Sequence, residues 1–338
     1  MGETTKQAGA LMAAEIAEAP GVFQRAVLAN HTGRIGPDDR KAIYTIARGS
    51  SDAAANILSY EGMKELARPM TSLPPSCFSV YAGVDMAHAT ALVISQSGAS
   101  PDLVASAQGI RERGGQVIAI TNNATSPVSQ AADVAIPIEA GPELAVPATK
   151  SVIGSVAAGM ALIAALKPRY VEACAAAAEQ MAAHEAAQGG NGLIDADRLR
   201  AALLRAKHVY VIGRGAGYGA AQELSLKIKE TCAIHAEAYS ASEVLHGPLQ
   251  LATNPLYVLI LDTGEPQTQD SLDKAEARFR SMGVSTDRLR IEEGAALAPA
   301  AAGAILLYLY YPVILATALV LGHDPDRPET LSKVTETT

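Results

Sequence analysis

The residues Ser95-Gln96-Ser97-Gly98-Ala99-Ser100 stand between an apolar run, Ala91-Leu92-Val93-Ile94, and a helical pattern that begins at Pro101-Asp102-Leu103-Val104. A parallel strand that ends in small hydroxyl residues and a glycine, then enters a helix, makes an anion cradle. Its backbone N–H groups, the helix dipole and the hydroxyls all favour negative charge. The lysine-bearing signature of a nucleotide loop is missing from the stretch, so a single phosphate on a small molecule suits it better than a triphosphate. Taken alone, the same residues equally suit a serine-rich turn with a helix cap.

A second group could move protons. Glu223, Lys227 and Glu230 follow one another at helical spacings of four and three, which puts all three on one face. Each charge tunes the next, and partial burial raises a glutamate toward neutrality. By spacing alone an ordinary solvated face explains them as well. His235-Ala236-Glu237-Ala238-Tyr239 and Glu243-Val244-Leu245-His246-Gly247-Pro248 come next. Histidine suits proton transfer near neutral pH, but the spacing is not that of a helical zinc pair. A histidine before Gly-Pro is also a common turn residue. Lys333, in Leu331-Ser332-Lys333-Val334, reads by itself as tail charge. Gly213-Arg214-Gly215-Ala216-Gly217-Tyr218 fails the dinucleotide fingerprint, because Tyr218 takes the third glycine position.

These residues need a scaffold, and the chain repeats one. Lys41-Ala42-Ile43-Tyr44-Thr45-Ile46-Ala47-Arg48-Gly49 recurs as Lys207-His208-Val209-Tyr210-Val211-Ile212-Gly213-Arg214-Gly215. Strands are predicted near residues 43–47, 77–80, 91–95, 116–121 and 133–138, then near 208–212, 256–261, 284–291 and 304–308. Continuous apolar strands alternating with helices imply doubly wound parallel sheets, which bind ligands outside the carboxyl ends of their strands. Ser51 and Ser95 both lie at such ends. The second half offers Asp262-Thr263-Gly264-Glu265 where the first offers the serine loop, so one phosphate site is expected, in the first half. The alanine-rich stretch from Tyr170 to Gln188, followed by Gly189-Gly190-Asn191-Gly192, marks the boundary. Ala301 to Gly322 is uncharged and long enough to span a bilayer, but is read as a buried strand followed by a core helix from Pro312.

Bulk properties narrow the partners. The chain of 338 residues suits two domains, and its net charge of −8 argues against nucleic acid or an anionic membrane surface. Cys77, Cys174 and Cys232 lie far apart without metal-type spacing, which fits a reducing, cytoplasmic setting. Residues 1–6 lack the order of a signal peptide.

Together with Gly141-Pro142-Glu143-Leu144-Ala145-Val146-Pro147-Ala148-Thr149-Lys150, these motifs resemble the sugar isomerase (SIS) family. The likeness is strongest to the isomerase half of glutamine–fructose-6-phosphate aminotransferase and its stand-alone deaminase relatives. It implies an α/β fold of two tandem SIS domains, each a doubly wound parallel sheet flanked by helices. The implied layout is an N-terminal helical extension (1–40), a first SIS domain with the phosphate site (41–169) and a helical linker (170–192). A second SIS domain with the acid–base residues (193–322) and a closing tail (323–338) follow. Ser51, Ser95, Gln96, Ser97 and Ser100 would hold the sugar phosphate, and Val146 would lie along the sugar. Glu230 would move the proton between C1 and C2, supported by Glu223 and Lys227. His246, from a neighbouring subunit, would open the ring, and Lys333 would form an imine with the ketose carbon. A cytoplasmic homodimer with a shared site, acting on a hexose phosphate without metal or organic cofactor, is expected. The forty residues before the first sheet hold no cysteine nucleophile, so glutamine is not expected as the ammonia source and glucosamine-6-phosphate deamination is. The alternatives are a fructosamine-6-phosphate deglycase, a galactosamine-6-phosphate deaminase and a non-catalytic sugar-phosphate sensor.

Overall fold

Strand and helix alternate along the chain because apolar residues recur in short continuous runs between helical stretches. A computed structural model describes residues 7–35, 42–188, 194–291 and 297–333. The first half comprises α1 (Ala10–Val27), β1 (Ala42–Ile46), α2 (Gly49–Leu66), β2 (Met70–Ser72), α3 (Ser76–Ser79), β3 (Ala89–Ser95), α4 (Pro101–Glu112), β4 (Gln116–Thr121), α5 (Pro127–Ala131), β5 (Val134–Pro137) and α6 (Lys150–Leu166). After α7 (Val171–Gln188) come α8 (Ala196–Arg205), β6 (His208–Gly213), α9 (Ala216–Cys232), β7 (His235–Ser240), β8 (Leu256–Asp262), α10 (Gln269–Ser281), β9 (Ser285–Arg290) and α11 (Pro299–Val320). Two parallel sheets result, ordered β2-β1-β3-β4-β5 and β7-β6-β8-β9.

Both faces of each sheet are covered, and the strands show why. Along β3, Leu92 and Ile94 join the core shared by both halves, while Ala91 and Val93 pack outward with Leu103, Ala107 and Ile110 of α4. Successive side chains point to opposite faces, so a strand buried on both sides must be apolar throughout. The outer face of the second sheet is closed by Leu272, Ala275 and Phe279 of α10. Each fully buried Leu, Ile or Phe contributes about 1.5–3 kcal/mol.

Between the sheets α2 lies against α9, and α11 packs on α9, α8, α1, α6 and α2. Gly219 permits this approach: a Cβ there would stand 2.6 Å from the Ile57 backbone nitrogen and 2.8 Å from the Ala53 carbonyl oxygen. The halves are also tied by Glu61 of α2. Its carboxylate accepts the Tyr170 hydroxyl at 2.9 Å and the Ala300 N–H, in the first turn of α11, at 3.0 Å.

Three sequence expectations need correction. Residues 77–80 are not a strand. Pro74 and Pro75 supply carbonyls but no donors to a ladder, so the chain turns into α3, and the edge strand is β2 instead. Residues 304–308 are likewise not a strand, and no helix starts at Pro312. A single helix, α11, runs through both with Pro312 inside it and Pro299 at its start. This helix is buried nearly all round, so its apolar run has no period to separate strand from helix. It is long and apolar enough to cross a membrane, yet lies in the core of the fold. Finally, His235-Ala236-Glu237-Ala238-Tyr239, absent from the predicted strands, lies in strand β7. Residues 189–192, Lys41, Val334 and the first six residues lie outside the described residues.

Candidate active site

The carboxyl ends of β1 and β3 open onto one cleft of about 290 Å³. Its first wall is the loop after β3. Ser95 Oγ accepts the Gly98 N–H at 3.1 Å and Ser97 Oγ accepts the Ala99 N–H at 3.3 Å, so the hydroxyls shape the turn from within. Gly98 adopts φ +62°, and a Cβ there would lie 2.1 Å from Ser126 Oγ, so only glycine fits. Ser100 is the N-cap of α4, with Pro101 behind it and its own hydroxyl making no cap bond. Ser51, from the start of α2, and Ser97, Gln96 and Ser100 all line the cleft. Hydroxyl and amide side chains gathered at the starts of α2 and α4, without a carboxylate in the loop, suit an anion. Arg48 adds a cation at the rim, paired with the buried Asp102 at 2.8 Å.

The opposite wall belongs to α9. Glu230 and Lys227 line the cleft, and Lys227 donates to Glu230 as a close ion pair. Behind them Glu223 sits 3.6 Å from the Lys227 ammonium, and the Tyr311 hydroxyl of α11 donates to its Oε1 at 3.0 Å. The side chains of Glu223, Lys227 and Glu230 are 0, 1 and 23 % exposed, so the face runs from the core out to the cleft. Burial pushes the Glu223 carboxyl up to about 7; Lys227 opposes this and Glu230 adds to it. For Lys227 burial works against the charge, but Glu223 and Glu230 outweigh it and its pKa is raised. A carboxyl titrating near neutrality beneath a fixed ammonium and a more exposed carboxylate is an arrangement that can hold and pass a proton.

The tail forms the third wall. Asp324 Oδ1 accepts the Gly9 N–H at 3.1 Å, and Asp326 accepts the N–H groups of Leu11 and Met12 at 2.9 and 2.8 Å, capping α1. The Val146 N–H donates to the Asp326 carbonyl at 3.2 Å, and Val146 lines the cleft. Leu331, Ser332 and Lys333 then reach the cleft. Lys333 Nζ donates to the Ala145 carbonyl at 2.6 Å and pairs with Glu143 Oε2 at 3.3 Å. Glu143 itself caps α6. Its Oε1 accepts the N–H groups of Thr149 and Ser151 at 3.0 and 3.1 Å, and its Oε2 accepts the Ser151 hydroxyl at 2.6 Å.

The chain therefore gathers Ser51, Ser95, Gln96, Ser97, Ser100, Val146, Lys227, Glu230 and Lys333 around one cleft, with Glu223 directly behind. It does not bring His246 there. That histidine is exposed, at the head of a 3₁₀ turn over Gly247–Thr253. Arg48, Glu143 and Tyr311 escaped the sequence reading. Arg48 carried a signal in its match to Arg214 of the repeat and Glu143 in its place within the Gly141–Lys150 motif, whereas Tyr311 carried none. Among the described residues no three His, Cys, Asp or Glu side chains converge as a metal site requires.

Residues 38–165 and 202–301 match the SIS domain family. The chain is 30 % identical over 314 residues to glutamine–fructose-6-phosphate aminotransferase (isomerizing) of Pyrobaculum aerophilum, covering 86 % of this chain and 50 % of that one. It thus spans about half the length of that curated relative. A candidate phosphosugar isomerase from Silicibacter pomeroyi superposes with a TM-score of 0.81 at 31 % identity, over 93 % of this chain and 99 % of the other. The fold is shared with glucosamine-6-phosphate deaminase of Thermotoga maritima, at TM-score 0.74 and 18 % identity, over 97 % of this chain and 100 % of that one. With two parallel sheets, the serine loop and two matching segments in place, this chain belongs to the SIS domain family.

Proposed function

We propose that this protein deaminates glucosamine 6-phosphate to fructose 6-phosphate. The observation that carries the reading is the convergence, in one cleft, of the Ser95–Ser100 cradle with Glu230, Lys227 and Lys333. The phosphate sits in the cradle, where Ser51, Ser95, Gln96, Ser97 and Ser100 supply binding energy remote from the reacting carbons. Val146 lies along the sugar. Glu230 takes the C2 proton of the open-chain aldose and returns it at C1, leaving an imine at C2. Lys227 holds Glu230 in place, and Glu223 backs Lys227. Lys333 attacks C2 as a free amine, ammonia leaves, and water hydrolyses the lysine imine to the ketose. The balance is amino-sugar phosphate plus water to ketose phosphate plus ammonia, so the cleft needs no further reactant.

Ring opening falls to His246, supplied by a second copy of the chain, since in the single chain it is exposed and away from the cleft. Ammonia release from glucosamine 6-phosphate tests the reading, with Glu230→Gln as the control. That variant is expected to lose about 10²–10⁴ in kcat while still binding the substrate. Ammonia at the level of the control would sink the proposal. Faster turnover of galactosamine 6-phosphate or a fructosamine 6-phosphate by kcat/KM would reassign the substrate within the same site.

A further inference from the structure

Helix α1 opens without a cap of its own. Gly9 stands at its N-cap with φ +73° and has no side chain to offer, yet the first N–H groups of a helix need acceptors. The tail supplies them from 314 and 315 residues further along the chain. Asp326 is buried and gives one oxygen to each of the Leu11 and Met12 N–H groups, at 2.9 and 2.8 Å. Its own carbonyl accepts the Val146 N–H at 3.2 Å, so one residue joins helix, tail and cleft wall. One turn further along α1, Glu15 Oε1 accepts the N–H groups of Leu144 and Ala145, the second at 3.2 Å. The Ala145 carbonyl in turn accepts Lys333 Nζ at 2.6 Å, closer than Glu143 at 3.3 Å. Helix α1 therefore carries both sides of the Lys333 contact, the tail through Asp326 and the receiving segment through Glu15.

We propose that Asp326 is a positioning residue for the tail lysine: by docking the tail on the start of α1 it places Lys333 Nζ at the cleft. The inference rests on the role given to Lys333 above. From Asp326 to Lys333 the chain runs through turns and irregular backbone, without helix or strand. Such a segment stays where its contacts hold it, and fixing its start limits where its end can reach. A nucleophile kept within reach of its target gains from proximity, and a displacement of about 1 Å can cost about a hundredfold in rate. Asp326 touches no reacting atom; it acts through the segment that ends at Lys333.

The test uses the whole chain with saturating fructose 6-phosphate and cyanoborohydride. The free amine of Lys333 adds to the C2 carbonyl, water leaves as the imine forms, and hydride from cyanoborohydride fixes the sugar as a secondary amine. The rate at which Lys333 acquires the sugar is read by peptide mass spectrometry. Asp326→Ala frees the tail from α1, and that rate is expected to fall about ten- to a hundredfold. Affinity for glucitol 6-phosphate, which has the phosphate but no carbonyl, is read by calorimetry and is expected to stay at the wild-type value. Should that variant fail to fold, Asp326→Asn keeps one acceptor oxygen and is expected to slow labelling to a lesser degree. A merely structural cap would lower thermal stability and leave the labelling rate of the folded variant unchanged. Labelling at the wild-type rate, or a matching loss of glucitol 6-phosphate affinity, would overturn the proposal. Equal labelling of variant and wild type, with ammonia released from glucosamine 6-phosphate, overturns the role of Asp326 alone. Slowed labelling in the variant without ammonia release by the wild type overturns the deamination reading alone. No label on Lys333 in the wild type overturns the role of that lysine and the inference with it.

Discussion

The two halves share a plan, yet they fill the same position in opposite ways. In the first, β3 ends at Ser95, and its loop lines an open cleft with Ser95, Gln96, Ser97 and Ser100. In the second, β8 occupies the same place in its sheet and ends at Asp262. That carboxylate is buried and accepts the Gly264 N–H at 2.8 Å, Gln269 Nε2 at 2.8 Å, and Arg288 Nε and Nη2 at 3.0 and 2.7 Å. The second loop carries its own anion; the first leaves room for one from outside. The helices that follow β1 and β6 divide the work in the reverse sense. Aligned by the repeat, Glu61 of α2 stands where Lys227 stands in α9. Glu61 is spent on capping α11 and holding Tyr170, whereas Lys227 orders Glu230 at the cleft. In the function proposed above, the loop of the first half binds the anion and the helix of the second moves the proton.

Giving the first loop the residue of the second should break this contrast most strongly. Ser95→Asp places a carboxylate in the cradle, and affinity for a hexose phosphate, read by calorimetry, is expected to fall about a thousandfold. Retained affinity would mean that the cradle is not the phosphate site. The reciprocal change, Asp262→Asn, leaves Arg288 short of its buried partner and is expected to cost about 3–4 kcal/mol in urea unfolding. Phosphate affinity should be unchanged; a matching loss of affinity would show that the second loop also binds the ligand.

The smallest effect concerns Glu223. Its carboxyl, ordinarily near 4.5, stands at about 7 in the folded chain. Between those values the folded state keeps a proton that the unfolded state has lost. Stability is therefore full below the window and declines as pH rises through it, by on the order of 3 kcal/mol. Glu223→Gln cannot titrate, so its Tm should lose this dependence. Parallel Tm–pH curves for wild type and variant would show that Glu223 does not hold the proton.

How far the sequence could be read depended on how local each signal was. The strands at 116–121 and 256–261 were legible because they are continuous apolar runs between turns. The run in α11 was not, because a helix buried on every side has no polar face to reveal its period. β7 was missed because only Ala236 of its alternating residues is buried, which left its apolar character faint. At the site, the serine loop and the spacing of Glu223, Lys227 and Glu230 could be seen at once. The pairing of Glu143 with Lys333 and of Tyr311 with Glu223 could not, since the partners lie 190 and 88 residues apart.

By itself the sequence determined which chemistry each segment offers: a hydroxyl-rich strand end for an anion, and one helix face bearing two carboxylates and an amine. Those are consequences of residue type and short-range spacing, which strand and helix geometry convert directly into shared faces. Only the tertiary structure decided what state those groups are in. Burial under α11 raises Glu223 toward neutrality, and a carboxylate at the start of α6 grips the lysine of the tail. Protonation and orientation are set by solvent exclusion and by partners distant along the chain, and neither is written in local spacing.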